Sequence, residues 1–243
     1  MRKIIAISVL LFFIIVILFS CKKEESDFPT IAPAVFNPKF TYATMTDVDG
    51  NIYKTITIGT QTWMAENLRT TKYNDNSPIP NVTESSDWTN LRTGAYCNYN
   101  NTSNTNAIVT FGRLYNWMAV NTGKLAPKGW HVPTNEEWTI LSNYLGGDDV
   151  AGGKLKETDT THWNKPNVGA TNETGFTSLP NGVRYLGLPS FYSNDNDTRA
   201  SMWSSTGDDI GAAWLVVIYS SSDKLNRYSF SEGFGFSVRC VKD

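Results

Sequence analysis

The chain has 243 residues, of which 18% are charged and 13% are aromatic, and its 21 basic and 23 acidic residues give a formal net charge of −2. No basic run extends beyond Lys22–Lys23, so this charge balance excludes nucleic acid as an expected partner. A domain of this length can build a core without disulfide staples, and many aromatic residues with few charges are typical of a loop-rich extracellular domain.

The N-terminus predicts export and lipidation. Two basic residues precede an almost wholly apolar run, residues 4–19, which is shorter than the ~20 residues that span a bilayer as a helix. Ser20, a small residue, then stands directly before Cys21. This order resembles the lipobox of bacterial lipoproteins, in which the cysteine thiol receives a lipid. We expect residues 1–20 to be a signal peptide and Cys21 to anchor the protein in the outer membrane, at the cell surface, with an uncleaved anchor as the alternative.

Residues 21–46 are predicted to form a lipidated flexible tether. They are polar, contain three prolines and show no periodic pattern of apolar residues that could be buried in a domain. The lysines and acidic residues directly after the cysteine resemble the export signal of Bacteroidetes lipoproteins. A plain solvated linker is the alternative interpretation of this cluster.

The folded domain is predicted to extend over residues 47–243. Residues 47–51 contain Asp-Gly, a strong hairpin signal, and Ile52, Ile56 and Ile58 then lie on one face of a strand. The same acidic turn lacks the ligand spacing of an EF-hand calcium loop. We therefore expect a hairpin at this point in the chain.

One helix is predicted from its own cap. Thr134 can cap the first turn, and Glu137 completes a capping box three residues later. Trp138, Leu141 and Leu145 then share one face, and the glycine that follows offers a left-handed stop. This face should pack on a sheet.

The other predicted elements are a short helix, two strands and a long loop. The loop is expected to be functional or disordered because it has few repeating apolar positions. These elements are a helix around Leu114, Trp117 and Met118, a central strand Trp214–Tyr219, a half-buried strand with Phe234, Phe236, Val238 and Cys240 alternating, and an irregular tract Gly146–Asp197.

The cysteines predict one disulfide. If Cys21 carries lipid, Cys97 and Cys240 remain, and an exported chain can oxidise them. Two buried thiols are the alternative, since a bond requires Cα atoms within ~7 Å and the sequence gives no distance.

Five ordered motifs resemble the Fibrobacter succinogenes major paralogous domain. The likeness extends over residues 47–243 and implies no established activity. The motifs are Trp63-Met64-Ala65-Glu66-Asn67-Leu68, Gly112-Arg113-Leu114-Tyr115-Asn116-Trp117, Gly129-Trp130-His131-Val132-Pro133, Trp203-Ser204-Ser205-Thr206 and Ser237-Val238-Arg239-Cys240-Val241.

A weaker resemblance, to the formylglycine-generating enzyme superfamily, implies the fold class. That class is an α+β domain with a C-type-lectin-like fold, in which two helices flank small twisted antiparallel sheets beside long irregular loops. The enzyme's chemistry depends on a pair of reactive cysteines near the C-terminus. Only Cys240 stands there in this chain, so thiol chemistry is not expected.

No catalytic constellation is predicted. His131 and His162 are the only histidines, and no nucleophile motif accompanies either of them. Carboxylate pairs could be drawn from several acidic residues, but their separation is unknown from sequence. We therefore expect a protein that is not an enzyme.

The predicted ligand contacts are His162, Trp163 and Asn164. A flat aromatic ring between hydrogen-bonding residues in a long loop suits stacking on a sugar or protein surface. A ring buried under the loop is the alternative. No metal or cofactor is expected, although Asp195 and Asp197 cluster oxygen ligands that calcium accepts, the other interpretation being a polar turn.

The sequence as a whole predicts a non-catalytic extracellular binding module. Its expected partners are the membrane, through the lipid on Cys21, and a glycan or protein ligand. The alternatives are an enzyme acting on saccharide or peptide and a structural component of an envelope assembly.

Overall fold

A computed structural model describes residues 31–192, 195–208 and 211–243. The predicted signal peptide, the lipidation site Cys21 and residues 21–30 of the predicted tether lie outside these residues. Within the described ranges, no helix is both long enough and apolar enough to cross a membrane.

The described part of the chain is an α+β structure, as expected, with short elements. The strands are β1 (Ala43–Thr46), β2 (Ile52–Ile58), β3 (Gln61–Met64), β4 (Tyr96–Cys97), β5 (Leu114–Asn116), β6 (Trp130–His131), β7 (Arg199–Gly207), β8 (Ala212–Tyr219), β9 (Leu225–Ser231), β10 (Gly235–Phe236) and β11 (Val241–Lys242). The α-helices are α1 (Ser85–Thr89), α2 (Thr105–Phe111), α3 (Trp117–Val120), α4 (Asn135–Tyr144), α5 (Asp148–Leu155) and α6 (Asp195–Thr198).

The strands form three antiparallel sheets, which the C-terminal segment joins. Their orders are β1-β2-β3-β11-β6, β10-β5-β4 and β7-β8-β9. Ser237, between β10 and β11, forms a bridge with Met202 of β7, so residues 235–242 contact all three sheets. Both faces of this segment are therefore covered, and Ser237 and Arg239 are as buried as Val238. The prediction of a half-buried strand was wrong for this reason.

Arg239 holds this segment to two earlier parts of the chain, at Asn67 and at Phe176. Its Nε donates to Asn67 Oδ1 at 2.8 Å, and its guanidinium also donates to the carbonyl oxygens of Phe176 and Thr177. The cation lies 4.3 Å from the centre of the Phe176 ring. Complete burial lowers the pKa of Arg239 to about 9, which still leaves it charged at neutral pH.

The predicted hairpin is confirmed. Thr46 pairs with Ile52 across a turn in which Gly50 has a φ of 84°. The Asp47 carboxylate accepts the backbone N–H of Asn51 at 2.9 Å and the hydroxyl of Tyr53 at 2.6 Å, so donors of the chain itself surround it.

The packed part of the chain begins earlier than the predicted boundary at residue 47. Strand β1 starts at Ala43, and three aromatic residues of the predicted tether pack against a hydrophobic cluster. Those residues are Phe36, Phe40 and Tyr42. They lie on both sides of Pro38 without a regular period, which is why the sequence pattern did not reveal their burial.

The best predicted elements are confirmed. Helix α4 begins with the capping box, in which Thr134 Oγ1 accepts Glu137 N–H at 3.2 Å and Glu137 accepts Thr134 N–H at 2.8 Å. Strand β8 is central in its sheet. Around Leu114 the prediction was partly wrong: Leu114 lies in β5, and α3 starts only at Trp117 because Asn116 caps it.

The predicted loop after α4 contains helix α5, which the sequence analysis missed. Two successive glycines, Gly152 and Gly153, concealed it because glycine is a poor helix former. A Cβ at Gly152 would lie 2.2 Å from the carbonyl oxygen of Lys224, so the close approach of the helix to the turn between β8 and β9 requires glycine.

Candidate functional site

Trp163 is a core residue, so its predicted role as a ligand-stacking platform was wrong. Its side chain is 1% exposed, and its Nε1 donates to the carbonyl oxygen of Ser178 at 2.9 Å. The buried ammonium of Lys156 lies 5.5 Å from the ring centre. The polar neighbours of Trp163 in sequence gave no information about what packs on its ring.

His162 forms hydrogen bonds with groups of the chain itself and not with a surface that a ligand could reach. Its Nδ1 lies 2.6 Å from Glu157 Oε2, and its Nε2 lies 2.9 Å from the carbonyl oxygen of Ala32. Glu157 also accepts the backbone N–H of Val35 at 2.5 Å. Asn164 is exposed, and its backbone N–H donates to Asp197. The three predicted ligand residues therefore form no common surface.

His162 is held as an imidazolium, because both of its ring nitrogens face acceptors. Burial alone would lower the pKa of His162, but the hydrogen bonds to Glu157 and to the carbonyl of Ala32 outweigh burial and raise it. His162 and Glu157 together hold residues 31–37, which we call the strap.

The predicted disulfide is absent. Cys97 and Cys240 are free, buried thiols in different hydrophobic clusters. Burial raises the pKa of Cys97 to about 12 and that of Cys240 still further above its usual range. Both are therefore protonated and poorly nucleophilic.

The predicted calcium ligands are only partly described. Asp197 is half-buried, and its Oδ1 has no hydrogen-bond partner among the described residues, whereas nothing is described of the side chain of Asp195. In the described ranges, no group of three or more His, Cys, Asp or Glu residues could hold a metal ion. Calcium binding stays a prediction.

The best candidate site is a cleft on the β7-β8-β9 sheet, which we call the aromatic cleft. It encloses about 180 Å³. Strand alternation places its residues from β7, β8 and β9 on one face of the sheet, since residues two apart point the same way. Its ring-bearing wall consists of Tyr185, Tyr219, Tyr228, Phe230 and Phe234, and its floor includes Ser201, Leu215 and Val217.

Strand pairing brings these residues together from distant parts of the chain. Arg199 of β7 is opposite Tyr219 of β8, and Leu215 of β8 is opposite Tyr228 of β9. The ring centres of Phe230 and Phe234 lie 5.3 Å apart in an edge-to-face arrangement. Tyr228 and Phe230 are 39% and 36% exposed, so they form the rim of the cleft.

Most polar groups of the cleft are engaged with one another. The Arg199 guanidinium donates to the Tyr185 hydroxyl. Burial, together with the neighbouring Tyr228, raises the pKa of Tyr219. The Oγ of Ser201, by contrast, is buried and has no hydrogen-bond partner among the described residues.

The comparison with known families gives one result. The family model of the Fibrobacter succinogenes major domain matches residues 56–242. The chain belongs to this family. No curated protein and no solved structure matches the chain. The Fibrobacter succinogenes major domain thus includes the whole aromatic cleft, whereas the strap and strand β1 precede the matched residues.

A second cavity of about 180 Å³ lies beside the strap. It is lined by Ile31, the first described residue, together with Tyr99, Ile108 and Phe111. Ile31 of the strap forms part of the wall of this cavity, so the cavity depends on where the strap lies. No strap residue lines the aromatic cleft. We therefore regard the cleft as the candidate binding site of the Fibrobacter succinogenes major domain.

Sequence analysis did not find the aromatic cleft, although one signal was present. Tyr228 and Phe230 alternate with polar residues in β9, which predicts two aromatic rings on one face of a strand. The partners on β7 and β8 depend on strand register, which the sequence does not give.

Proposed function

We propose that this chain is a cell-envelope lipoprotein, anchored in the outer membrane by a lipid on Cys21, whose domain binds an extracellular glycan or protein ligand without catalysis. The observation that carries the binding function is the aromatic cleft. Rigid aromatic rings at a partly exposed rim are the groups that dominate recognition surfaces, because they offer large contact areas at low entropic cost.

The size of the cleft limits what can enter it. Its volume of about 180 Å³ is below the ~300–1,000 Å³ of pockets that enclose a drug-sized molecule. It suits one ring-sized group of a larger ligand, with the exposed Tyr228 and Phe230 in contact with the rest.

The chemistry of the cleft supports binding rather than catalysis. Its described lining residues include no histidine and no carboxylate, the groups that most often transfer protons in active sites. The buried thiols of Cys97 and Cys240 are protonated and lie elsewhere.

We further propose that the domain is a variant of the C-type-lectin-like fold. Two features support this assignment: helices α4 and α5 pack against the β7-β8-β9 sheet, and long irregular segments connect small antiparallel sheets. The resemblance to the formylglycine-generating enzyme superfamily then concerns the fold and not the reaction.

The function is tested with the full-length protein purified in detergent. It is applied to arrays of glycans and of bacterial and host surface proteins, with and without calcium, and every bound ligand is incubated and checked for cleavage products. We expect saturable binding with no products. Product release would instead support the alternative of an enzyme acting on saccharide or peptide.

A further inference from the structure

The aromatic cleft presents mainly carbon to a ligand. Its lining includes three aliphatic residues and three phenylalanines: Val183, Leu215, Val217, Phe230, Phe234 and Phe236. In this lining the Tyr185 hydroxyl already accepts a hydrogen bond from Arg199, and burial together with the close neighbour Tyr228 raises the pKa of Tyr219.

Ser201 differs from the three tyrosines. Its side chain is 1% exposed, it lines the cleft, and its Oγ has no hydrogen-bond partner among the described residues. Its backbone is fixed on both sides, since Ser201 N–H donates to Asn181 Oδ1 at 3.0 Å and its carbonyl oxygen accepts from Ser237 N–H. The backbone of Ser201 therefore has a fixed position in the floor.

A buried hydroxyl without a partner is unfavourable, because it has lost its hydrogen bonds to water. A ligand that supplies one hydrogen-bonding atom at this position would remove that penalty. A sugar ring carries several hydroxyls, which this largely apolar lining would leave unpaired. A phenolic ring carries one, and its ring edges and faces suit the surrounding aromatic groups.

We infer that the aromatic cleft takes a phenolic ring, whose hydroxyl hydrogen-bonds to Ser201 Oγ while its ring packs against Phe230 and Phe234. This inference rests on the proposed binding function and specifies the ligand group. The shared chemistry has two sources: a tyrosine side chain of a partner protein, or a free phenol.

The test measures the binding of phenol, toluene and methyl glucoside to the full-length protein by calorimetry and by chemical-shift changes of the β8 and β9 amides. Phenol and toluene differ by the one hydroxyl that Ser201 would bind. We expect phenol to bind about three- to tenfold more tightly than toluene, which is what one net hydrogen bond contributes.

Two variants locate the hydrogen bond. In Ser201→Ala the advantage of phenol over toluene should disappear, while the affinity for toluene is kept. Ser237→Ala is the matched control, because Ser237 Oγ is also buried and without a partner but does not line the cleft. If Ser201→Ala fails to fold, Ser201→Cys keeps a single atom at the γ position and weakens the hydrogen bond.

N-acetyltyrosine amide and N-acetylphenylalanine amide distinguish the sources. Binding of the tyrosine amide about as tightly as phenol supports a protein partner, and binding of phenol alone supports a free phenol. Equal affinities for phenol and toluene, or an unchanged phenol advantage in Ser201→Ala, would overturn the inference. Tighter binding of methyl glucoside than of phenol would also overturn the inference, but it would leave the proposed binding function intact.

Discussion

His162 Nε2 lies 2.9 Å from the carbonyl oxygen of Ala32, a residue 130 positions earlier in the chain. With Glu157, which binds Val35, this contact fixes the strap to the domain. If Cys21 carries a lipid, the strap holds the chain that follows this anchor to the domain from Ala32 onward. The contacts of His162 and Glu157 with the strap, which we call the clamp, would then restrict the distance of the aromatic cleft from the membrane.

The clamp should weaken as the pH rises. The pKa of His162 is raised in the folded chain above the ~6.5 of an unfolded histidine, so its contribution is complete below that value and is lost as pH rises through the raised pKa. Glu157 and Asp159 are the acidic groups that act on it.

Hydrogen exchange measures this effect. After correction for intrinsic exchange, the opening free energy at the Val35 amide should fall by about 1 kcal/mol at alkaline pH. The buried amide of Ala65, which donates to the carbonyl oxygen of Lys54 at 2.8 Å, should stay constant. His162→Gln should make the Val35 value independent of pH. A pH-independent Val35 amide in the unmodified protein would contradict the role of His162.

Truncation of Trp163 should unfold the protein more easily. Trp163→Ala removes a ring that is 1% exposed and should lower the free energy of unfolding by ~3–5 kcal/mol. Tyr144→Ala is the matched control, because its ring is 65% exposed, and it should change stability by less than ~0.5 kcal/mol. Denaturant titration checks both values. A nearly unchanged midpoint for Trp163→Ala would restore this residue as a candidate for ligand contact.

Arg239 should be essential for stability. Arg239→Ala leaves Asn67 Oδ1 and the carbonyl oxygens of Phe176 and Thr177 without their donor, so the free energy of unfolding should fall by ~3–5 kcal/mol. Arg92→Ala, at an exposed position, serves as the control. Equal stability of the two variants in denaturant titration would show that Arg239 does not hold the C-terminal segment to Asn67, Phe176 and Thr177 as described.

The two cysteines should behave as protected thiols. Because Cys97 and Cys240 are free and buried, alkylating reagents should modify them only after unfolding, and a reducing agent should not change the melting temperature. Mass spectrometry of peptides from the exported protein is the measurement. Recovery of a linked Cys97–Cys240 peptide would contradict this part of the structure.

Local signals in the sequence predicted local structure well. The capping box of Thr134 and Glu137 lies within one helical turn, so α4 could be predicted from neighbouring residues alone. The hairpin at Gly50 was predictable for the same reason. The paired cysteines were predicted from export chemistry, which carries no information about their distance.

The candidate binding site depends on contacts between strands, which the sequence does not reveal. The aromatic cleft requires the pairing of Arg199 with Tyr219 and of Leu215 with Tyr228, and a shift of either register by one residue would turn its rings to the other face. Trp163 was assigned to a ligand because its neighbours are polar. The core that covers it comes from residues far away in sequence.

The central claim is that the aromatic cleft binds the ligand, and Phe230→Ala tests it most directly. Phe230 is at the rim, 36% exposed, and its loss opens the cleft without emptying the core. On the glycan and protein arrays, we expect Phe230→Ala to weaken the binding seen with the unmodified protein at least about tenfold, equivalent to ~1.4 kcal/mol, while Tyr144→Ala binds normally. Undiminished binding by a folded Phe230→Ala variant would contradict the account.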